Sequence, residues 1–498
     1  MKTVQFTAMN EAETLRLGED ISLVLSAGEL IALSGALGVG KSTFARGLIR
    51  HLLRDDEAEI ASPTYTLCNT YDGDIQIAHF DLYRLESAEE LTELGLDEAL
   101  EVGCVIVEWP EKAMKTLPEK SVHVQISEGS SDTRTFEFKG DHQILDKIER
   151  TLKIRRLLED ASLPDARRYN LDADASARRY EEVFHQGELK LLVMDSPEMP
   201  DGPPVVDGLP YSRIAHLAEN VSAFFAIGTV LLNKGISAPR ILVSDLKSGL
   251  LLVEYLGNGK IVTNESVPIP DRYKTAAVFL AELHEHAFDS SVPLPNGTKY
   301  PIPSYDQGAL LIELDLLPEW YIPHFAGKEL GNHQKQDFLE VWKTLIGTLN
   351  SEDNTLVLRD FHSPNIIWLE ERLGTSQIGV IDFQDAVIGP RAYDVASLAQ
   401  DARVDVCETL EIELLETYIE KRELFDRGFD ATRFRTDYAI MSAQRATKIL
   451  GIFCRLHKRD NKPQYLAHIP RLKDYLQRSL KHPVLAEYRK WLETVIDL

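Results

Sequence analysis

The sequence predicts two folded parts: a doubly wound α/β domain with a mainly parallel sheet, then an α+β part that begins with strands and continues with helices. In the first part, apolar strand-like runs alternate with segments of helical periodicity, as in "ELIALS" before "KSTFARGLIRHLL". In the second part, the strand-like runs "LKLLVMD" and "LLLVEYL" come early. Helical periodicity dominates after them. We therefore place the domain boundaries at residues 1–145, 155–257 and 258–498.

Composition and charge exclude several classes of protein. The chain has 498 residues and a net charge of −25, which argues against an extensive surface that binds nucleic acid directly but permits a small basic site. No apolar run reaches the roughly 18 residues of a membrane span, and no signal-peptide core is present near Met1, so we expect a cytoplasmic protein. The cysteines are far apart and are expected to be reduced thiols: Cys68, Cys104, Cys407 and Cys454.

Local signals predict the elements of the first part in order. The helix of residues 41–53 follows the strand of residues 29–34. Two strands follow, with a turn at Asp72-Gly73, and a capping box of Ser87 and Glu90 opens a helix that runs towards Leu100. The continuous apolar run "GCVIVEW" is typical of a strand inside a parallel sheet. The charged stretch of residues 141–160 is predicted to be a connecting helix, which fits either neighbour.

The second part has fewer clear signals. Residues 196–210 are predicted to form a proline- and glycine-rich loop, and residues 211–232 one long helix. A β-rich island at "TLVLRDFHSPNIIWL" and "IGVIDFQDA" interrupts the helical region that follows.

A phosphate-binding loop is predicted near the N-terminus. Gly35, Gly40, Lys41 and Ser42 fit the pattern G-x-x-x-x-G-K-[ST], between a strand and a helix. In this pattern backbone N–H groups surround a phosphate, the lysine neutralises its charge and the serine hydroxyl binds Mg²⁺. The alternative is a glycine-rich turn with a surface lysine.

Such a site also needs an acidic residue at the end of a neighbouring strand to hold the metal. Glu108 ends "CVIVEW" and Asp81 ends "IAHFD", so both are candidates. The alternative for each is a carboxylate that only terminates a strand.

Four segments in order, "GALGVGKSTFARGL", "SPTYTL", "HFDLYRL" and "VEWPE", resemble the TsaE family, the ATPase subunits of the bacterial machinery that makes N6-threonylcarbamoyladenosine in tRNA. The resemblance covers nearly all of residues 1–140. It implies that Gly35, Gly38, Gly40, Lys41, Ser42 and Thr43 bind ATP, and that Ser42 and Glu108 bind Mg²⁺. It also implies that "SPTYTL" and "HFDLYRL" are switch-like segments. A TsaB–TsaD pair is the implied partner, and tRNA is reached only through that pair.

A second phosphoryl-transfer pattern lies in the β-rich island. Asp360 precedes Asn365 by five residues, and Asp382 ends the next strand. In this arrangement Asp360 accepts or orients the proton of an attacking hydroxyl, while Asn365 and Asp382 hold Mg²⁺. The alternative is a pair of hairpin loops with capping Asp and Asn residues.

The stretch "LRDFHSPNIIWL…IGVIDFQDAVIGPRAYDVASLAQD" resembles the aminoglycoside-phosphotransferase-like kinases, and within them the AmgK-type sugar kinases. The resemblance covers residues 155–498. It implies a two-lobed kinase-like fold with a substrate such as N-acetylmuramate or N-acetylglucosamine, phosphorylated at the anomeric hydroxyl. It also implies a catalytic Asp360, metal ligands Asn365 and Asp382, and a hinge from Glu254 to Leu256 that meets the adenine of ATP.

Three departures from that family are visible. Met194 stands where a strand lysine is expected, Leu358 replaces a histidine, and Asp174-Ala175 occupies a loop that prefers glycine. Arg178 or Arg179 are possible substitutes for the lysine, whereas Lys190 comes too early in its strand.

Other polar residues near these patterns have open roles. Asp385 is a possible third metal ligand or a structural residue, and Asp394 is predicted to cap a helix and brace the catalytic loop. His284 and His286 face different directions on a helix, so we expect ordinary packing. His362 either contacts substrate or holds its loop.

Together these observations predict a bifunctional protein that uses ATP and Mg²⁺ at two sites. The predicted catalytic residues are Lys41 and Glu108 in the first part and Asp360 in the second. The alternative is a TsaE-type ATPase fused to a pseudokinase that binds or regulates.

Overall fold

The computed structural model describes residues 2–87, 89–130, 132–171 and 178–496. The chain forms two compact units, one of Met1–Asp195 with Val243–Asp245, and the other of Ser196–Leu242 with Leu246–Leu498. The first unit therefore includes strands that the sequence places in the second part. The boundaries at 145, 155 and 257 stay predictions.

The helices and strands of the first unit follow in chain order. They are β1 (Val4–Ala8), α1 (Glu11–Ser22), β2 (Leu30–Ser34), α2 (Lys41–Leu53), β3 (Cys68–Asp72), β4 (Gln76–Asp81), α3 (Glu89–Glu93), α4 (Leu96–Val102), β5 (Gly103–Glu108), β6 (Val122–Glu128), β7 (Arg134–Lys139), α5 (His142–Asp160), β8 (Arg167–Leu171), β9 (Arg179–His185) and β10 (Glu188–Asp195).

A seven-stranded sheet with the order β1-β7-β6-β2-β5-β4-β3 forms the centre of this unit. Its four middle strands are parallel, since β2 pairs in parallel with both β5 and β6, and β4 pairs in parallel with β5. The edge strands β1 and β3 and the interior strand β7 are antiparallel to their neighbours. The predicted doubly wound α/β domain with a mainly parallel sheet is thus confirmed. It places the ends of β2, β4 and β5 side by side at one edge.

Helices α1 and α2 pack closely because each has a glycine at the contact. A Cβ on Gly18 would lie 2.4 Å from the carbonyl oxygen of Phe44, and a Cβ on Gly47 would lie 2.1 Å from that of Leu15. Helix α5 buries Ile144, Ile148 and Leu152 in the same apolar core. The predicted connecting helix therefore belongs to the first unit.

A buried ionic cluster joins α1 and α5 to strands β8 and β9. Asp20 bonds Arg155 and Arg168, with both of those N···O distances at 2.6 Å, and Arg168 also reaches Glu181 at 2.8 Å. Arg168 is 1% exposed. Burial alone would raise the pKa of Asp20, but the two arginines outweigh it and lower that pKa to about 2.

Three predicted elements of the chain differ from the structure. The helix expected from Ser87 to Leu100 is two short helices, α3 and α4, because Gly95 adopts φ 83° between them. The helix expected at 211–232 is interrupted at His216, whose φ is 53°, and restarts where Asn220 accepts a hydrogen bond from the Ser222 backbone. The loop expected at 196–210 contains a small antiparallel hairpin.

The second unit is mostly helical. Its elements, together with β13, which crosses the division, are β11 (Pro204–Val206), β12 (Leu209–Pro210), α6 (Tyr211–Ile214), α7 (Val221–Asn233), β13 (Ile241–Asp245), β14 (Leu250–Glu254), α8 (Pro270–Leu283), β15 (Ser291–Pro293), β16 (Lys299–Pro301), α9 (Gln307–Leu314), a π-helix (Leu317–Ala326), α10 (Asn332–Gly347), β17 (Asn354–Val357), β18 (Ile366–Trp368), β19 (Ile378–Val380), β20 (Val387–Pro390), α11 (Ala392–Ala399), α12 (Glu408–Phe425), α13 (Ala431–Asp460), α14 (Ile469–Ser479) and α15 (Ala486–Val495).

The predicted β-rich island is present as two small antiparallel pairs. Strand β17 pairs with β20, and β18 pairs with β19. The loop between β17 and β18 and the loop after β19 consequently come together. Among the described residues, no helix has both the length and the apolar content that a membrane span requires.

Candidate functional sites

The loop between β2 and α2 has the backbone shape of a phosphate cradle. Gly35, Gly38 and Gly40 have φ values of 146°, 76° and 109°, which lie in the region that favours glycine. Gly40 precedes the first turn of α2, so the N–H groups at the start of that helix face the loop. A Cβ at Gly35 would lie 2.5 Å from the carbonyl oxygen of Ile126. The loop can wrap an anion only because these positions lack side chains.

Lys41 folds back over this loop. Its Nζ donates to the carbonyl oxygens of Gly35, at 2.8 Å, and Ala36, at 3.0 Å. The ammonium lies 3.6 Å from the centre of the Trp109 ring. Burial lowers the pKa of Lys41, although Glu108 and Glu111 oppose the shift. A cation in this position can meet a phosphate in the cradle.

Ser42 and Glu108 lie together, as a shared metal site requires. The Ser42 hydroxyl donates to Oε2 of Glu108 at 3.0 Å, and Glu108 is 2% exposed. Nε2 of His79, on the neighbouring strand β4, lies 3.0 Å from Oε1 of Glu108. One hydroxyl and one carboxylate suit Mg²⁺, which keeps several waters and takes further oxygens from phosphates.

Sequence reasoning did not single out His79. No local pattern indicates its role, because His79 meets Glu108 only through the parallel pairing of β4 with β5. Thr43, the remaining predicted ATP-binding residue of this loop, is half-buried in the first turn of α2.

Asp81, the second candidate for this metal, is engaged elsewhere. Its Oδ2 accepts from the hydroxyls of Ser62, at 2.9 Å, and Thr64, at 2.8 Å, and its Oδ1 accepts from the Tyr83 backbone. Asp81 therefore anchors the segment "SPTYTL" to the end of β4, one strand away from Glu108.

Three predicted residues of the second site converge. The Asn365 amide nitrogen donates to the carbonyl oxygen of Asp360 at 3.0 Å and lies 3.5 Å from Oδ2 of Asp382. Gln384 donates to the other carboxylate oxygen of Asp382 at 2.9 Å. Asp382 has φ 57°, an uncommon conformation for a residue with a side chain. The side-chain amide of Asn365 and the carboxylate of Asp382 are oxygen ligands that suit Mg²⁺.

Two buried carboxylates brace the loop that contains Asp360. Asp394 accepts from the backbone N–H groups of Leu358, at 2.7 Å, and Arg359, at 3.0 Å. Burial raises the pKa of Asp394 to about 7, and the two backbone donors oppose that shift. Asp401 accepts from the Ser363 backbone at 2.7 Å. Asp394 lies inside the first turn of α11, so it braces the loop but is not the N-cap of the helix.

The residues predicted to form the hinge lie next to the strand that precedes Asp382. Glu254 pairs with Arg240 at 3.0 Å, and its backbone N–H donates to the Arg240 carbonyl at 2.8 Å. The Leu256 side chain packs against Gly379 of β19, where an added Cβ would come within 3.2 Å of it. Strand β19 leads directly to Asp382.

The remaining predictions on polar residues divide as follows. Asp385 accepts from the Ala218 backbone at 2.6 Å, which is a structural contact. His284 is buried and lies 2.8 Å from the Tyr418 hydroxyl, as ordinary packing predicts. His362 lies beside Asn365, its Nε2 being 3.5 Å from the amide nitrogen, so it is within the site.

The departures from the kinase pattern also have places in the structure. Met194 is 1% exposed on β10, and Lys190 of the same strand pairs with Glu188 at the surface. Leu358 is buried and uses its backbone to bond Asp394. Asp174 and Ala175 lie outside the described residues.

Two family models match the chain. The model described as "Threonylcarbamoyl adenosine biosynthesis protein TsaE" matches residues 8–136. The model described as "Phosphotransferase enzyme family" matches residues 170–435. The first match contains the phosphate loop and Glu108, and the second contains Asp360, Asn365 and Asp382.

Curated relatives fall into the same two groups. An N-acetylmuramate/N-acetylglucosamine kinase of Caulobacter vibrioides is 33% identical over 353 residues, covering 67% of this chain and 93% of that protein. A kinase of the same name from Pseudomonas aeruginosa is 31% identical and covers 67% of this chain and 90% of that protein. A tRNA threonylcarbamoyladenosine biosynthesis protein TsaE of Rickettsia felis is 38% identical over 120 residues, covering 24% of this chain and 70% of that protein.

Proposed function

Because the chain belongs to the TsaE family over its first part and to the phosphotransferase enzyme family over its second, we propose that it is a bifunctional, ATP-dependent protein. The first activity is ATP hydrolysis that serves threonylcarbamoylation of tRNA, with a TsaB–TsaD-type complex as partner and tRNA reached through it. The second is phosphorylation of the anomeric hydroxyl of an amino sugar, N-acetylmuramate or N-acetylglucosamine.

The contact between Ser42 and Glu108 supports the first activity. ATP would lie in the cradle of Gly35, Gly38 and Gly40, with Lys41 turned from the loop carbonyls to the phosphates. Bound Mg²⁺ would neutralise charge that develops on the phosphates. Ser42 would hold the metal directly, and Glu108 would hold it directly or through water. His79 keeps the Glu108 carboxylate aimed at Ser42.

The convergence of Asp360, Asn365 and Asp382 carries the second activity. Asp360 would accept the proton of the sugar hydroxyl while the oxygen of that hydroxyl attacks the γ-phosphorus of ATP, and ADP would leave. Asn365 and Asp382 would hold Mg²⁺, which screens the phosphate charges. Glu254 to Leu256 would meet the adenine beside β19. Asp394 and Asp401 fix the loop so that the Asp360 carboxylate needs little reorganisation.

A sugar-phosphorylation assay tests this proposal. The full chain is incubated with Mg²⁺–ATP and each amino sugar, and the position of the phosphate is read by ³¹P NMR. Asp360→Ala is expected to lower the rate by at least about 100-fold, the range of a lost general base. Asp289→Ala, at an exposed aspartate, is the matched control and should keep the rate. Normal phosphorylation by Asp360→Ala would contradict the assigned role.

Burial of Met194 favours a second candidate, in which the kinase-like part binds or regulates without transferring phosphate. Calorimetry of Mg²⁺–ATP with the full chain carrying Lys41→Ala separates the two candidates, because that substitution disables the first site. Binding together with turnover on an added sugar supports the kinase. Absence of nucleotide binding supports the pseudokinase.

A further inference from the structure

Arg403 stands next to the proposed sugar-kinase site, and its side chain has no acidic partner among the residues that the structure describes. The carboxylate of Asp401 joins two backbone segments: Oδ2 accepts from Ser363 at 2.7 Å, and Oδ1 accepts from Arg403 at 2.8 Å. Ser363 follows Asp360 by three positions in the catalytic loop. The backbone of Arg403 is therefore held against that loop by one shared carboxylate.

The Arg403 guanidinium is positioned by aromatic rings. Its central carbon lies 4.8 Å from the centre of the Tyr465 ring and 5.9 Å from that of Phe453. These two rings pack on each other at 5.2 Å, and both are buried. Within the described part of the chain, the guanidinium has neither a salt-bridge partner nor a hydrogen-bond acceptor. These cation–π contacts restrain the position of the group and leave its N–H groups available.

The surroundings of Arg403 are cationic, although the whole chain carries a charge of −25. Arg445 is 4% exposed and bonds the carbonyl oxygen of Gln400 at 3.2 Å. Arg471 donates to the carbonyl oxygen of Ala402 and lies 3.2 Å from Nδ1 of His468, and its only acidic neighbour among the described residues is the exposed Asp405 at 4.0 Å. The central carboxylate, Asp401, is already engaged by backbone N–H groups and by the Tyr273 hydroxyl.

The pKa of His468 agrees with a locally positive field around Arg403. That pKa is lowered first by burial and then by Arg471 and Arg403, while Asp401 opposes the shift.

We propose that Arg403 is the residue that recognises a carboxylate on the sugar substrate, and so determines specificity for an acidic amino sugar. N-acetylmuramate carries a lactyl carboxylate that N-acetylglucosamine lacks, and a planar guanidinium can bind such a group through two parallel hydrogen bonds. Tyr465 and Phe453 hold Arg403 in place beside the loop that contains Asp360 and Ser363. This inference rests on the proposed sugar-kinase function and adds the origin of substrate preference.

Steady-state kinetics on the full chain test the inference. The measured quantity is kcat/KM for N-acetylmuramate divided by kcat/KM for N-acetylglucosamine. Arg403→Gln is expected to lower this ratio by at least about tenfold, the effect of losing one charge-assisted hydrogen bond. Arg403→Lys keeps the charge and should recover part of the ratio. Arg459→Gln is the matched control on α13, since that exposed arginine pairs with Asp460.

The outcomes separate this inference from the proposed function. If the wild-type chain phosphorylates neither sugar, the proposed function fails and the inference fails with it. If the wild type phosphorylates both and Arg403→Gln keeps the ratio, the inference alone is overturned. An equal loss for the two sugars also keeps the ratio, and would assign Arg403 to the phosphates or to the fold. If Arg403→Gln does not fold, the ratio is measured for Arg403→Lys instead. A ratio equal to that of the wild type would then overturn the inference.

Discussion

Glu108 illustrates how a single carboxylate can be prepared for metal binding. One of its oxygens bonds Ser42 and the other lies beside His79, so the group is oriented in the absence of any ligand. The residue comes at the end of the buried strand β5. A residue that orients a ligand in this way typically contributes 10- to 100-fold to metal affinity, by the order of magnitude known for such contacts.

His79→Ala is therefore expected to weaken Mg²⁺-dependent ATP binding at the first site by about tenfold or more, because Glu108 loses its orienting partner. Calorimetry in the Asp382→Ala background, which disables the second site, gives the affinity at several Mg²⁺ concentrations. His142→Ala, at an exposed histidine, is the control. An unchanged Mg²⁺ dependence would show that His79 has no part in metal binding.

His51 is a second residue whose environment has a measurable consequence. Its Nδ1 lies 2.7 Å from the Ser22 hydroxyl and its Nε2 lies 2.7 Å from the carbonyl oxygen of Arg168, at the end of α2. Burial lowers the pKa of His51 to about 4. The His51 side chain therefore takes up a proton near pH 6.5 in the unfolded chain, but only near pH 4 in the folded chain.

The free energy of unfolding of the first unit should consequently fall as the pH drops from about 6.5 to about 4, by roughly 3 kcal/mol from this group. Thermal unfolding at pH 7.5 and pH 5 measures the effect. His51→Gln should reduce the difference between the two pH values, while His142→Gln should keep it. A wild-type melting temperature independent of pH would rule out this contribution of His51.

At the scale of elements, the sequence predicts some helices and strands well and others poorly. Helix α2 has the predicted bounds because a glycine-rich loop and regular apolar spacing mark it. Strand β5 is parallel and interior, as its continuous apolar run indicates. The interruptions at Gly95 and His216 depend on positive φ angles that periodicity does not reveal. The loop of Asp360 and Asn365 and the loop of Asp382 come together because β18 pairs with β19. The sequence indicates this pairing, since both strand-like runs are visible in the β-rich island.

The ionic cluster of Asp20, Arg155, Arg168 and Glu181 was not predictable, because it joins residues as far apart as 148 positions. It links α1 and α5 to β8 and β9, and β9 lies inside the match to the phosphotransferase family. The two matched regions are therefore connected within the first unit by packed, charged contacts as well as through helix α5.

Removing one partner from this cluster leaves a buried charge without compensation. Arg168→Met is expected to lower the free energy of unfolding of the first unit by about 3–5 kcal/mol. The change is read from the denaturant midpoint of that unit's transition. Arg46→Met is the control, since Arg46 pairs with Glu11 at 3.9 Å on the surface. Equal effects of the two substitutions would contradict a special role for the cluster.

For the whole molecule, the sequence indicated a fusion because two sets of motifs stand in separate stretches, and both family matches confirm it. Residues of the phosphate loop and of the Asp360 loop could be named because each motif is local. His79 and Arg403 were missed, since their roles depend on neighbours that are distant in sequence. The chain therefore has two separate groups of residues suited to Mg²⁺–ATP.

The number of nucleotides that one chain binds is the most direct measurement. Equilibrium dialysis with Mg²⁺ and a non-hydrolysable ATP analogue is expected to give two bound nucleotides per wild-type chain, since each loop carries residues proposed to hold Mg²⁺–ATP. Lys41→Ala and Asp382→Ala should each bind one, and the double variant none. Lys115→Ala, at an exposed lysine, should bind two. A wild-type chain that binds only one nucleotide at saturation would contradict the presence of two nucleotide sites.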